Sequence, residues 1–141
     1  MTHGATTNRV GRIHLVCVPV TDHDRAIAFY ESLGFEKRAD AEMVNGDRWV
    51  EVYPPDGAAG IALAPGNDEV SGVQTGILLT TDDIDATHAE LRAAGVDVDD
   101  EIGRPGNDVT KTIGASAITG PTPPMFYFRD PDGNSLLMIG P

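Results

Sequence analysis

One strand-like stretch, RWVEVY, alternates apolar residues with residues that can bind a ligand or do chemistry. Val50 and Val52 suit the buried side of a strand. The alternation then sends Trp49, Glu51 and Tyr53 together to the opposite face. A carboxylate held against aromatic side chains has a raised pKa, so Glu51 is the candidate catalytic base for proton abstraction beside a carbonyl. The alternatives are an exposed strand charge for the glutamate, and a core or dimer contact for the two aromatic residues.

The histidines and the single cysteine give weaker signals for catalysis. His3 lies in the predicted N-terminal tail, and His23 follows a helix cap, where it should be solvated. His88 lies in mid-helix without a partner motif, which favours a hydrogen-bonded packing role. Cys17 has no paired histidine in the sequence, so a small buried hydrophobic residue is favoured over a nucleophile.

Two stretches, VPVTDHDRAIAFYESLGFEKR and LLTTDDIDATHAELRAAGVDVD, repeat one order of elements: strand, acidic cap, amphipathic helix, glycine and second strand. Asp22 is the predicted cap of the first helix and Gly34 its end. In the second helix, Asp82 or Asp83 is the cap and Gly95 the end. Strands are predicted at residues 13–20, 35–41, 48–53, 60–64, 73–80, 96–99, 125–129 and 135–139.

Length and charge limit the possible functions. The 141 residues, 40% hydrophobic, suit one domain over residues 10–141 after a flexible tail over residues 1–9. Its two modules are predicted at about 11–66 and about 72–140. The net charge of −12 repels phosphate backbones and anionic lipid, so neither nucleic acid nor a membrane is an expected partner.

The single cysteine and the polar start of the chain predict a cytoplasmic location. One cysteine cannot form an internal disulfide, which fits a reducing compartment. No apolar run approaches the roughly 18 residues of a membrane-spanning helix, and the first residues lack a signal-peptide core.

Residues 103–122, GRPGNDVTKTIGASAITGPT, are predicted as a loop rich in glycine, proline and threonine. A loop of about twenty residues in a compact domain is usually functional or disordered. Two interpretations of this segment stay open. It either closes over a groove as a lid, burying part of Ile113, Ala115 and Ile118, or serves as a mobile connector.

Four motifs together resemble the vicinal oxygen chelate superfamily, which groups glyoxalase I, extradiol dioxygenases, fosfomycin-resistance enzymes and bleomycin-binding proteins. They are VPVTD at residues 18–22, AFY with LGF at 28–35, DIDA at 83–86, and FRDPDGN at 128–134. The resemblance implies an α+β fold in which two tandem βαβββ modules form a curved mixed sheet with a concave groove. Because open sheet edges in this family are covered by pairing, a symmetric homodimer is also expected.

The same resemblance places four metal ligands on the first and last strands of the modules. In this chain those positions fall on Leu15, Ala62, Gly76 and Leu137, which offer a divalent ion no donor. His14 is one place off and would replace the first ligand only if the strand were bulged. The sequence therefore predicts neither metal nor other cofactor; the alternative is a metal-dependent lyase or dioxygenase with a displaced ligand set.

The groove is predicted to be an apolar hollow with two aromatic walls, Trp49 and Tyr53, and one carboxylate, Glu51. The rest of its expected lining is Leu15, Cys17, Ala62, Gly76, Leu78 and Leu137. Such a hollow favours hydrophobic or planar guests. The prediction is a metal-independent small-molecule-binding protein or enzyme of the glyoxalase/bleomycin-resistance type; an enzyme would be a lyase or isomerase with a carboxylate base.

Overall fold

Two aspartates begin the two helices, as the sequence predicts. In the computed structural model, which describes residues 7–141, the side chains of Asp22 and Asp83 each accept a hydrogen bond from the backbone N–H three residues later. Gly34 and Gly95 follow the helices with φ of 94° and 82°, a conformation that glycine adopts without strain. Local capping chemistry therefore sets both helix boundaries.

Each half of the chain contains one βαβββ module, and the second half carries an additional hairpin. Module 1 comprises β1 (Leu15–Val20), α1 (His23–Ser32), β2 (Glu36–Glu42), β3 (Arg48–Tyr53) and β4 (Gly60–Pro65). Module 2 comprises β5 (Gln74–Thr80), α2 (Ile84–Ala93), β6 (Asp97–Val98), β7 (Thr110–Ile113), β8 (Ser116–Thr119), β9 (Met125–Arg129) and β10 (Ser135–Ile139).

The two modules have the same sheet topology. Sheet order is β1-β4-β3-β2 in module 1 and β5-β10-β9-β6 in module 2. In each sheet the first strand pairs in parallel with the last, and the other neighbours are antiparallel. The predicted α+β fold with two tandem βαβββ modules is confirmed. The eight strands predicted from the sequence all occur.

The helix-facing sides of both sheets contribute to a single hydrophobic core. Val18 and Val50 of module 1 and Phe126 and Phe128 of module 2 are fully buried in the same cluster. The ring of Phe29 on α1 lies 6.4 Å from that of Phe128, centroid to centroid. Because the helix faces meet in one core, the other face of each sheet, here called its open face, lies on the outside of the chain. The two open faces therefore lie on opposite sides of that core.

The DPDGN turn between β9 and β10 ties module 2 to the helix of module 1. The hydroxyl of Tyr30, which is fully buried, donates to Asp130 Oδ2 at 3.0 Å. Asn134 Nδ2 donates to the same carboxylate oxygen at 2.9 Å and to the carbonyl of Pro19 at 2.8 Å. This turn therefore joins the two modules as well as connecting β9 to β10.

The prediction of a plain loop over residues 103–122 is wrong in its middle. β7 and β8 form an antiparallel hairpin with a two-residue turn that starts at Gly114. Gly114 has φ of 59°, and glycine at this first turn position is typical of a type II′ hairpin. Ile113 and Ile118 are half-buried, whereas Ala115 is exposed.

Neither of the helices formed within residues 7–141 is long and apolar enough to cross a membrane. Residues 7–9 are exposed and belong to no helix or strand. The rest of the predicted tail, including His3, lies outside the described residues.

Candidate functional site

Trp49, Glu51 and Tyr53 lie together on the open face of module 1, where strand alternation places them. Trp49 Nε1 donates a hydrogen bond of 2.8 Å to Glu51 Oε2, and the Tyr53 hydroxyl donates one of 2.9 Å to Glu51 Oε1. Each carboxylate oxygen therefore holds one aromatic side chain in place. These three residues are called the aromatic platform below.

The expectation that the pKa of Glu51 is raised is wrong. The N–H of Trp49 and the hydroxyl of Tyr53 stabilise the carboxylate form, with a smaller electrostatic contribution from nearby His14. Burial acts in the opposite direction but is outweighed by these effects, so the pKa of Glu51 is lowered. At neutral pH this side chain is an ionised hydrogen-bond acceptor and a weak base.

Tyr53 offers a ligand less ring surface than an open aromatic wall would. Only 9% of the residue is exposed, and the guanidinium of Arg38 lies 4.6 Å from its ring centroid. The ring also lies across Gly60, where a Cβ atom would come within 2.8 Å of it. Trp49 is only half-buried and is the more accessible aromatic surface of the platform.

The other predicted lining residues of module 1 lie on β1 and β4, next to the platform strand. Ala62 pairs with Cys17 of β1 on one side and with Glu51 of β3 on the other, and Leu15 pairs with Gly60. Ala62 is fully buried, and Leu15 is half-buried. Cys17 is exposed, which corrects the expectation of a buried hydrophobic residue.

The remaining predicted lining residues lie in module 2. Leu137 pairs with Leu78 of β5; Leu137 is 2% exposed and Leu78 is 51% exposed. Gly76, with φ of 73°, lies where the register of β5 and β10 shifts. These residues belong to the second sheet, whose open face points away from that of module 1. A single chain therefore does not bring the whole predicted lining into one groove.

A second site, which the sequence did not predict, lies where the hairpin meets the open face of module 2. It is a cavity of about 300 Å³, called the hairpin pocket, lined by Gln74, Asp99, Thr110, Lys111, Thr112, Tyr127, Arg129 and Ser135. Lys111 Nζ donates to Asp99 Oδ2 at 2.6 Å, and Arg129 Nη2 donates to Asp99 Oδ1 at 2.8 Å. Burial alone would raise the pKa of Asp99, but these bonds and one from the Tyr127 N–H outweigh it and lower the pKa.

A larger cavity of about 840 Å³ lies between the modules on the helix side of the sheets. Its lining is mainly apolar and includes Phe35 and Ile61 of module 1 and Ile77 and Leu91 of module 2. Leu78 reaches this cavity from the edge of β5. No local sequence signal predicted it, because it depends on how the modules pack against each other.

The positions at which the family resemblance places metal ligands do not fit a metal. Leu15, Ala62, Gly76 and Leu137 carry no donor atoms in their side chains. β1 pairs with β4 in unbroken register from Leu15, so no bulge turns His14 into the first position. Within residues 7–141, no group of three or more histidine, cysteine, aspartate or glutamate side chains is arranged to hold an ion.

The two described helical histidines pack against the protein. His88 lies edge-on to Phe126 with ring centroids 4.9 Å apart, and its Nε2 lies 2.6 Å from the carbonyl oxygen of Asp99. The predicted hydrogen-bonded packing role of His88 is confirmed. The prediction that His23 is solvated is wrong, since it is half-buried with Nε2 2.9 Å from the carbonyl oxygen of Leu63.

Several solved structures are similar to this chain over most of its length. TnmS3, an antibiotic binding protein from Streptomyces sp. CB03234, is 32% identical with a TM-score of 0.71, covering 96% of this chain and 99% of that one. A glyoxalase/bleomycin resistance protein from the same organism is 33% identical with a TM-score of 0.63, covering 90% and 98%. A member of the Glyoxalase/bleomycin resistance protein/dioxygenase superfamily from Sphaerobacter thermophilus DSM 20745 is 28% identical with a TM-score of 0.68, covering 94% and 98%.

No curated protein matches the chain. The Glyoxalase family model matches residues 12–138, which include both helices and all the strands of both modules except the last residue of β10, Ile139. The chain therefore belongs to the Glyoxalase/Bleomycin resistance protein/Dioxygenase superfamily.

Proposed function

We propose that this protein binds a hydrophobic or planar small molecule against the aromatic platform, without a metal ion. The observation that carries the proposal is the pair of hydrogen bonds that fix Trp49 and Tyr53 on the Glu51 carboxylate. An aromatic surface held rigid before binding loses little conformational entropy when a flat ligand stacks on it. TnmS3, similar over nearly the whole chain, is an antibiotic binding protein, which supports a small organic ligand.

The state of Glu51 favours binding over base catalysis. Both of its oxygens already accept hydrogen bonds from neighbouring side chains. Its lowered pKa makes it a poorer proton acceptor than an ordinary glutamate. In this proposal the carboxylate positions the aromatic rings and does not take a proton from the ligand.

A second copy of the chain completes the site in this proposal. The open faces of one chain point in opposite directions, and β1 and β5 are edge strands of their sheets. In a symmetric homodimer, the platform of one copy faces the module 2 sheet of the other, which brings the predicted lining together. Light scattering at micromolar concentration should give twice the monomer mass. A monomer mass alone would contradict this arrangement.

The absence of donor side chains at Leu15, Ala62, Gly76 and Leu137 supports a metal-independent site. Elemental analysis of the purified protein should find no tightly held transition metal, and one ion per chain that resists dialysis would overturn this part of the proposal. A cytoplasmic location is proposed as well, because the exposed thiol of Cys17 suits a reducing compartment.

Trp49 is the single tryptophan, so its indole N–H gives one resolved signal in a ¹⁵N NMR spectrum. The neutral planar probe 2-naphthamide should shift this signal, with affinity measured by calorimetry. Trp49→Leu should weaken binding at least roughly tenfold, because it removes the stacking surface. Val70→Ala, a change at an exposed apolar residue outside the platform, should leave the affinity unchanged.

Glu51→Gln separates binding from catalysis. The amide keeps one acceptor oxygen but turns its NH₂ group toward the other donor, so binding should weaken by roughly threefold to tenfold and persist. An unmoved indole signal at saturating probe would contradict the proposed function. Turnover of a carbonyl substrate that disappears in Glu51→Gln while binding persists would instead identify a lyase or isomerase with Glu51 as its base.

A further inference from the structure

The hairpin pocket differs in chemistry from the platform and from the apolar cavity on the helix side. All eight of its lining residues carry a polar or charged side chain. They come from the hairpin, from β5, β9 and β10, and from the segment after β6. At about 300 Å³ the pocket is at the small end of ligand cavities, which suits one polar substituent better than a whole drug-sized molecule.

Positive charge exceeds negative charge in this lining. Lys111 and Arg129 are its two cations and Asp99 its one carboxylate. The side chain of Lys111 is only 8% exposed, so its charge is poorly screened. Asp97 also lies 3.7 Å from Arg129 Nη1, but its side chain is 74% exposed and lies outside the lining, where solvent weakens its effect.

Most hydrogen-bond acceptors in the pocket already accept bonds from the protein's own donors. Asp99 Oδ2 accepts from Lys111 Nζ and from the Tyr127 N–H, and Asp99 Oδ1 accepts from Arg129. The Tyr127 hydroxyl donates to the carbonyl of Thr112 at 2.6 Å and accepts from Gln74 Nε2 at 3.3 Å. Lys111 Nζ also donates to the carbonyl of Glu101 at 2.8 Å, so what the pocket offers a guest is chiefly the charge of Arg129 and the side-chain hydroxyls of Thr112 and Ser135.

We infer that the hairpin pocket is the subsite that selects ligands whose planar body carries an anionic oxygen group such as a carboxylate. This inference rests on the proposed function, since the platform binds the planar body. Arg129 supplies the main charged contact, and the Ser135 hydroxyl adds a donor next to it across the β9–β10 pair. In the proposed homodimer, the pocket lies on the same open face that meets the platform of the other copy.

The test compares two probes of the same shape, 2-naphthoate and 2-naphthamide, on the wild-type protein. Both should shift the Trp49 indole signal, and calorimetry should show the carboxylate binding roughly tenfold more tightly than the amide. Raising NaCl from about 0.05 to about 0.5 M should reduce this preference and leave the amide affinity nearly unchanged, since salt screens only the charged probe.

Arg129→Gln removes the charge but keeps donors for Asp99. It should abolish the preference for the carboxylate without changing the affinity of the amide. Arg104→Gln is the matched control, because Arg104 pairs with Asp85 outside the pocket and loses the same charge. Should Arg129→Gln unfold, Ser135→Ala is the second variant, and it should weaken only the carboxylate, by roughly threefold.

Three results overturn the inference, and they differ in what they say about the platform. Equal affinities of the two probes for the wild-type protein, with the indole signal shifted, overturn the subsite and leave the proposed function standing. An indole signal that neither probe moves overturns the proposed function, and the subsite with it. A preference that survives in both Arg129→Gln and Ser135→Ala also rejects the pocket as its source.

Discussion

Replacing Tyr30 with phenylalanine tests the bond that joins the two modules. The tyrosine is fully buried, and its hydroxyl donates to Asp130 Oδ2 at 3.0 Å. Removing a buried hydrogen bond to a charged group costs about 2 kcal/mol here, near the low end for such bonds, because Asn134 still satisfies the same oxygen. For a chain of 141 residues this corresponds to a fall of about 8 °C in Tm.

The same substitution should change the pH dependence of stability in a defined direction. Burial raises the pKa of Tyr30 far above its ordinary value, followed by the effect of the Asp130 charge. The stabilisation is therefore complete below the unfolded-state pKa of about 10 and is lost as pH rises above it. At pH 11 the wild-type protein loses about 1.4 kcal/mol through this group, and Tyr30→Phe loses none.

Urea unfolding at one fixed protein concentration, at pH 8 and at pH 11, measures both effects. The difference between wild type and Tyr30→Phe should shrink from about 2 to about 0.6 kcal/mol across this range. Tyr127→Phe is the control, since Tyr127 is half-buried and its hydroxyl bonds only uncharged groups, the carbonyl of Thr112 and the amide of Gln74, and it should cost much less. A difference that stays constant with pH, or an equal loss in the control, would refute the reasoning.

Three further predictions concern the site. The pKa of Glu51 is lowered from 4.5, so the hydrogen bonds of the platform should persist above pH 4.5 and be lost as the pH falls through the pKa of Glu51 in the folded protein. The Trp49 indole signal should therefore stay constant from pH 8 to 5 and move at lower pH. Gly60→Ala should displace the tyrosine ring of the platform and weaken 2-naphthamide binding, whereas Gly11→Ala, with no atom within 4 Å of the new Cβ, should not. Hydrogen exchange in residues 103–122 should slow when 2-naphthoate binds, and unchanged exchange there would reject a closing role.

Local sequence rules were sufficient to predict the helices and strands and to group the side chains on the open face of module 1. Aspartate caps and glycine ends set both helices, because these depend on a few consecutive residues. The alternation in β3 correctly grouped Trp49, Glu51 and Tyr53, since side chains in a strand point to opposite faces in turn. Both inferences need only the period of the element, which the sequence contains.

Properties that depend on neighbours in space were not predictable in the same way. The pKa of Glu51 depends on whether its aromatic neighbours point their donors at it or only exclude water from it, and strand alternation does not distinguish these cases. The hairpin pocket joins Asp99, Lys111 and Arg129, which lie 12 to 30 residues apart along the chain. The turn at Gly114, with a short strand-forming run on each side, was a usable hairpin signal that the glycine-rich composition concealed.

The bond between Tyr30 and Asp130 spans 100 residues and therefore has a consequence for synthesis on the ribosome. At roughly 5–20 residues per second, α1 is made on the order of 5–20 s before the turn that completes its packing. During that interval its aromatic residues lack the second module's half of the core, so we expect the nascent first half to expose apolar surface that chaperones bind. The repeated modules are consequently one folding unit, and a chain that stops before the DPDGN turn should be degraded rather than accumulate.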